Sequence, residues 1–428
     1  MPGLRCAAMA RRRLLPESAS VDVPRVVLAR ALRGFADGFV SVVLAVYLTT
    51  LGFSPLQVGA IVTGTLLGSA ALTLGTGLVA HRWELRTLLL AACVLMTVTG
   101  IGFMAVTGFW ALMVIAVVGT LNPSAGDVSV FLPTEQAYLA GHVTDLDRPH
   151  LYAIYNLAGA FAGAFGALAS GLPERLAGIL DVERVDALRG SFIVYVVIAI
   201  AVFVVYRRLR REHVATEITP VARKPLAESR GTVLELAALF SLDAGSSGFV
   251  VQSLLVLWLH LEWGLSPGVT AAVFFAVGLL SAFSQLLAGP LARRIGLVRT
   301  MVFTHLPANL FLVLAAFAPS AGIAVGCLLV RALFSQMDVP ARQALVMAVV
   351  TPEERAAAAS VTNVPRSLAS AATPLLAGAL LKATTFGWPL IIAGLGKATY
   401  DLVLLARFGR RASGRGTADL GRRDPAPT

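Results

Sequence analysis

Charge is scarce in this chain. Of its 428 residues, 14% are Asp, Glu, Lys or Arg, against about a quarter in an ordinary soluble domain. A soluble chain of this length would need more charge to cover its surface. Apolar residues make up 57% and the mean hydropathy is +0.78, so water-soluble fold classes are set aside. Cysteine is equally sparse. Cys6 lies in a polar stretch and Cys93 and Cys327 in apolar runs, which gives neither a disulfide framework nor metal-ligand spacing. The six histidines form no ligand cluster. No G-x-S-x-G, Walker A or H-E-x-x-H motif is present, so the chain reads as a non-enzyme with no resident metal or cofactor. Acidic residues are outnumbered, 24 to 35, for a formal charge of +11. In a soluble protein that balance would suggest nucleic acid; here the placement of the basic residues explains it without any nucleic-acid partner.

Long apolar runs dominate what is present. A helix needs about 20 apolar residues to cross a bilayer core. Twelve such stretches occur, at 28–50, 57–80, 88–107, 109–132, 151–171, 190–206, 235–260, 269–290, 299–318, 320–341, 355–381 and 387–407. Asn122, Pro123, Asp127 and Pro133 interrupt the fourth and its junction with the fifth. The first stretch is too long for a signal-peptide core and reads as an uncleaved span. The arginine-rich start (Arg5, Arg11, Arg12, Arg13) reads as a solvated cytoplasmic tail, with a transit peptide as the alternative. With the N-terminus placed in the cytoplasm, 26 of the 35 basic residues fall inside, four fall outside and five lie in or at the edge of spans. That asymmetry sets the orientation, with both termini cytoplasmic. Arginine outnumbers lysine 32 to 3, a composition associated with high-GC bacteria, so the expected location is a bacterial cytoplasmic (inner) membrane.

The halves repeat. At a shift of 207, Pro133, Gln136, Ala137, Val143, Thr144, Arg148, Asn156, Leu168 and Gly171 meet Pro340, Gln343, Ala344, Val350, Thr351, Arg355, Asn363, Leu375 and Gly378, and Gly119 meets Gly326. Gly38-Phe39-Val40 matches Gly248-Phe249-Val250 at 210, and Ser54-Pro55 matches Ser266-Pro267 at 212. Two six-span copies share one orientation, so their pseudo-twofold axis lies along the membrane normal. The expected fold is an all-α membrane protein of twelve transmembrane helices in two six-helix bundles. Its parts are a tail (1–26), a first bundle (27–207), a linker (208–232), a second bundle (233–408) and a tail (409–428).

This arrangement resembles the major facilitator superfamily over residues 25–410. The best local signature is Gly289-Pro290-Leu291-Ala292-Arg293-Arg294-Ile295-Gly296 with Arg299 following, similar to the family's G-x-L-A-D-R-x-G-R-R loop. Gly77-Leu78-Val79-Ala80-His81-Arg82 with Arg86 is a weaker first-half copy. The motif's Asp is replaced by His81 and Arg293. The resemblance implies a cytoplasmic gating role for Gly77, Arg82, Arg86, Gly289, Arg293, Arg294 and Arg299; setting topology or holding anionic lipid is the alternative. It also implies that the first, fourth, seventh and tenth helices line a central cavity.

Ionisable groups at membrane depth are costly and tend to be functional. They fall unevenly here. The first span carries Arg33 and Asp37, the fourth Asp127, the seventh Asp243, and the tenth Arg331 and Asp338; the ninth carries only His305. Arg33 and Asp37 are four apart and share a face, so they can pair, either as a static structural pair or as an exchangeable one. Gly34 and Gly38 border that face and invite a second helix. Arg331, Ser335, Asp338 and Arg342 form one polar stripe, and Arg331 needs a carboxylate, a carbonyl or an anionic solute. Lys397 and Asp401 read as a neutralised structural pair on the twelfth span. Gln252 and His260 either contact solute or cap and pack. Gly159 and Gly163 allow close packing of the fifth span and faintly resemble the family's antiporter motif.

The expected function is secondary transport of a small solute by alternating access. Asp37, Asp127 and Asp243 would exchange protons or another coupling ion, while Arg33 and Arg331 hold carboxylates or an anionic part of the solute; the alternative is that Asp127 and Asp243 simply pair with arginines across the cavity to hold one state closed. Proton-coupled efflux is the first reading, uptake by symport the second, and a non-transporting sensor or scaffold the third. The acids in the spans hint at a cationic or zwitterionic solute, and the protein is expected to be a monomer in the lipid bilayer.

Overall fold

The computed structural model describes residues 15–16, 18–79, 83–124, 130–144, 147–210, 229–350 and 355–409. Among the described residues the chain is helical, with no strand. The first half contains α1 (Val23–Thr50), α2 (Pro55–Val79), α3 (Leu85–Ala105), α4 (Phe109–Val118), α5 (Phe131–Ala140), α6 (Arg148–Ala169), α7 (Leu172–Leu180), α8 (Arg184–Gly190) and α9 (Phe192–Arg207). The second contains α10 (Arg230–Gly248), α11 (Gln252–Trp263), α12 (Pro267–Ile295), α13 (Leu297–Ala316), α14 (Ala321–Phe334), α15 (Asp338–Val349), α16 (Arg355–Ala383) and α17 (Trp388–Phe408). Among the described residues ten helical segments are long and apolar enough to cross a membrane, and α4 and α14 are shorter apolar helices. Proline in the first turn opens α1, α6 and α17, where its missing N–H is no loss. Gly264, at φ 60°, stops α11.

Three spans are broken, and two of the breaks correct the boundaries expected above. The fourth span does not end at 132: α4 stops at Val118 and α5 resumes at Phe131 and runs to Ala140. The tenth passes 341, with α14 ending at Phe334 and α15 reaching Val349 after a turn at 335–337. The seventh is interrupted between α10 and α11, after the helix-weakening run Gly245-Ser246-Ser247-Gly248. Non-helical backbone at membrane depth must find new partners. Ser253 supplies them in the first break: its N–H (3.2 Å) and hydroxyl (2.8 Å) both donate to the Pro123 carbonyl. The Asn122 side-chain oxygen accepts from the Ser124 N–H at 3.2 Å and hydroxyl at 2.8 Å.

The chain divides into two compact units. One comprises Met1–Pro220, Val250–Leu279 and Ala371–Phe386, the other Val221–Phe249, Leu280–Ser370 and Gly387–Thr428. In the first unit, α1 lies against α6 at glycine. A Cβ at Gly34 would strike the Gly159 carbonyl, and one at Gly38 the Gly163 carbonyl. The two small-residue patches legible in the sequence are thus one interface, and dispersion between close backbones holds it in lipid. Tyr47, Phe103 and Phe192 stack nearby, with centroids 5.2–5.3 Å apart.

The segments 250–279 and 371–386 seal the first unit at the end away from the start of α1. Gln252 donates to the Ser41 hydroxyl at 2.9 Å, and the Leu375 N–H donates to the Thr63 hydroxyl at 2.9 Å. A Cβ at Gly59 would sit 2.5 Å from the Pro374 carbonyl oxygen and 3.0 Å from the Gly378 Cα, so α2 and α16 touch backbone to backbone. The second unit is built on Val233, Leu236, Phe240, Val302, Leu345, Tyr400, Leu404 and Phe408, all buried together. Trp110, Val114, Leu287, Phe303, Leu310 and Leu402 are exposed. Apolar surface of this kind suits hydrocarbon rather than water.

Candidate functional site

Each unit buries one ionic cluster. In the first, Arg33 of α1 pairs with Glu135 of α5. The same Glu135 carboxylate accepts from the Tyr155 hydroxyl of α6 and the Tyr206 hydroxyl of α9. Arg33 also lies over the Phe131 ring, 4.3 Å from its centroid. Glu135, Tyr155 and Tyr206 are fully buried and Arg33 is 2% exposed. Removing two charges from water is costly, and only a pair with its remaining lone pairs satisfied repays that. Three donors on one carboxylate meet the condition and tie four helices together.

This corrects the expected Arg33–Asp37 pair. Spacing by four allows contact along a helix, but Arg33 turns to Glu135, a residue the sequence reading missed by ending the fourth span too early. Two repeat matches, Pro133 and Gln136, bracket Glu135 and were the available signal. Asp37 is left with a weak partner. It is 8% exposed, and its hydrogen bond is from the Asn122 amide at 3.5 Å.

In the second unit, Asp243 of α10 accepts from Arg342 of α15 at 2.9 Å and from Lys397 of α17 at 2.8 Å. Asp338 lies 3.6 Å from Arg342, one turn back on α15. Asp401 accepts from Asn309 at 2.8 Å and contacts His305 Nδ1 at 3.1 Å, both on α13. The expected Lys397–Asp401 pair is therefore also corrected, because each residue reaches a different helix. Arg342, the last residue of the polar stripe read above, is buried inside α15.

The two clusters are related by the repeat. The shift of 210 that aligns Gly38 with Gly248 places Arg33 on Asp243, and the shift of 207 places Glu135 on Arg342. Both positions carry a buried ion pair, with the signs exchanged. What the duplicated scaffold keeps is a neutral pair between the opening span of a half and the second helix of its broken fourth.

The other expected site residues scatter. Gln252 bonds Ser41 in the seal. His260 lies at the end of α11, 3.3 Å from the Leu265 carbonyl. Arg331 sits on α14 with no hydrogen bond or ion pair among the described residues. Asp127 and Arg82 lie outside the described residues, and Gly77 is near the end of α2. Arg86 caps α9, donating to the carbonyls of Tyr206 at 3.3 Å and Arg207 at 2.7 Å, as a cation at a helix C-terminus should. Gly289 has no close backbone neighbour; Arg293, Arg294 and Arg299 are exposed and make no ion pair among the described residues. Outside the spans, Asp22 anchors the start of α1, accepting from the Tyr138 hydroxyl at 2.9 Å, the Arg210 N–H at 3.0 Å and Arg25. Burial pushes its carboxyl up, but those donors outweigh burial and hold it below its ordinary value.

A family model described as Major Facilitator Superfamily matches residues 26–262 and 236–427. An uncharacterized membrane protein of Saccharomyces cerevisiae, YJR124C, is 24% identical, with 91% of this chain and 94% of that protein aligned. Among solved structures, the partially occluded, inward-open xylose transporter XylE from E. coli superposes with a TM-score of 0.69 at 15% identity, covering 91% of this chain and 98% of that one. The nucleoside transporter NupG gives 0.68 at 13%, covering 91% and 99%. At these identities the structures share the fold.

Proposed function

Because the chain belongs to the major facilitator superfamily, and so is a multi-pass membrane transporter of some solute and not an enzyme, we propose that it is proton-coupled, with Asp37 as the proton-carrying group. The carrying observation is the contrast between carboxylates. Glu135 has three donors and Asp243 has two cations at 2.8–2.9 Å. Both carboxylates are committed to cations and donors within the protein. Asp37 is buried with one long amide contact, so neither its charged nor its neutral form is locked, which is what a proton carrier needs.

In this reading the half-helices α5 and α15 are pinned by their ion pairs and move with their own units, and the seal formed by Gln252, Ser41, Gly59 and Gly378 opens and closes. The direction is export by antiport across a bacterial cytoplasmic membrane, in keeping with the glycine-lined α6. Uptake by symport is the second reading, since a D-xylose-proton symporter is among the structural neighbours. The protein is loaded into vesicles with a solute identified by thermal stabilisation, and a pH gradient is imposed. Gradient-driven flux that disappears in Asp37→Asn supports the proposal, and its direction separates antiport from symport. Flux indifferent to the gradient and to Asp37→Asn rejects it.

A further inference from the structure

Once the ion pairs are set aside, Arg331 stands out. It lies ten residues into α14, about 15 Å along the helix axis, which is half the thickness of a hydrocarbon core. Among the described residues it makes no hydrogen bond and no ion pair. Arg331 is itself half-buried, and Ala324 and Leu328, at i−7 and i−3 on its side of the helix, are buried. The repeat adds a second argument. At the shift of 207, Arg331 falls on Ser124, a neutral residue, so the duplicated scaffold has no need of a cation at this place. The buried ion pairs show the opposite pattern, being present in both halves.

We propose that Arg331 binds an oxyanionic group, a carboxylate or a phosphate, on the transported solute. The inference rests on the transporter reading and names its substrate class. A guanidinium is a planar fork of donors that matches two oxygens of such a group. Half-buried at membrane depth, it binds them more strongly than it would in open water. Of the span acids, Asp243 and Asp338 contact Arg342, and Asp401 contacts Asn309 and His305, so these three are committed within the protein. Arg331, with no counter-charge among the described residues, is the better guide.

The test uses purified full-length protein in chloride-free detergent buffer and reads thermal unfolding. The probes are acetate, succinate, glutamate, citrate, inorganic phosphate and glycerol 3-phosphate, each against an uncharged counterpart such as acetamide or glycerol. At least one anion should raise the unfolding temperature, and its counterpart should not. Arg331→Gln should weaken that effect roughly ten- to a hundredfold in apparent affinity, and Arg331→Lys should retain part of it. Carboxylates and phosphates acting differently would identify which group the solute carries. Without ligand, Arg331→Gln should unfold at the same or a higher temperature, because no partner among the described residues is lost. Three results overturn the proposal: a lower ligand-free unfolding temperature in Arg331→Gln, equal stabilisation of wild type and Arg331→Gln, or no stabilisation by any probe. Failure of proton coupling looks different, because it leaves anion binding intact and abolishes only the response of flux to a pH gradient.

Discussion

Glu135→Gln and Arg33→Gln each strand one buried charge, whereas Arg33→Asp combined with Glu135→Arg rebuilds the pair in the order used by Asp243 and Arg342. Breaking one side of a buried pair costs roughly 3–5 kcal/mol, because the remaining charge keeps its desolvation penalty and loses its compensation. Glu135 has no exposed surface and Arg33 is 2% exposed, so water cannot take over. For a unit of this size about 1 kcal/mol moves the unfolding temperature by roughly 2–4 °C, which puts each single variant roughly 6–20 °C below wild type. The exchanged pair should recover at least half of that, since the Tyr155 and Tyr206 hydroxyls can accept from an arginine as well as donate to a carboxylate. Asp37→Asn is the control: it loses one 3.5 Å contact and should stay within about 1 kcal/mol of wild type. Tryptophan fluorescence during heating in detergent, with size-exclusion chromatography for the folded fraction, reads all four. If the exchanged variant is no better than the singles, or if Asp37→Asn falls as far as Glu135→Gln, then the clamp and the carrier have been wrongly told apart.

Other consequences follow from single contacts. Gly38→Val places methyl groups on the Gly163 backbone and should cost at least about 1–3 kcal/mol through forced separation of α1 and α6, seen as a loss of folded protein on size-exclusion chromatography. Gly59→Val should pry α2 from α16, so that a Cys placed at Thr63 reacts faster with a membrane-impermeant maleimide than it does behind Gly59; equal rates would mean the seal is not where those helices touch. Asp22, held below its ordinary value, contributes stability that is fully present above the unfolded-state value of 3.8 and is lost as pH falls through the lower folded-state value. Wild-type unfolding temperature should therefore fall more steeply than that of Asp22→Asn on acidification below about pH 4; parallel curves would remove Asp22 from the anchor.

Much of the fold was legible because lipid allows few solutions. Length and hydropathy located the spans, and the four-residue spacing of Gly34 with Gly38 and of Gly159 with Gly163 marked both sides of a contact. Partners were less legible. Arg33 with Asp37, and Lys397 with Asp401, satisfy the spacing rule for a shared helix face, yet each cation bonds across helices instead. A same-helix partner gives proximity alone, whereas Glu135 and Asp243 each collect several donors from different helices, and in a low-dielectric interior the better-satisfied carboxylate wins. Glu135 escaped notice for a related reason. The helix α4 stops at Val118, ahead of Asn122-Pro123, and nothing in local hydropathy announces that another begins at Phe131 and is still part of the same span.

The exchanged signs bear on what such pairs are for. If the proton pathway depended on the acid of the first pair, its repeat mate would be expected to keep an acid at the same place. Instead the first half has Arg33 on its opening helix where the second has Asp243, and Glu135 faces Arg342 across the alignment. A sign can be exchanged freely only where neutrality and contact matter more than which residue titrates. Asp37 and Arg331 have no such mates: the same shifts place Asp37 on Ser247 and Arg331 on Ser124. The ion pair that the duplication preserves with its signs exchanged joins helices within each half, and on the reading proposed above Asp37 and Arg331, without such mates, would handle the proton and the solute.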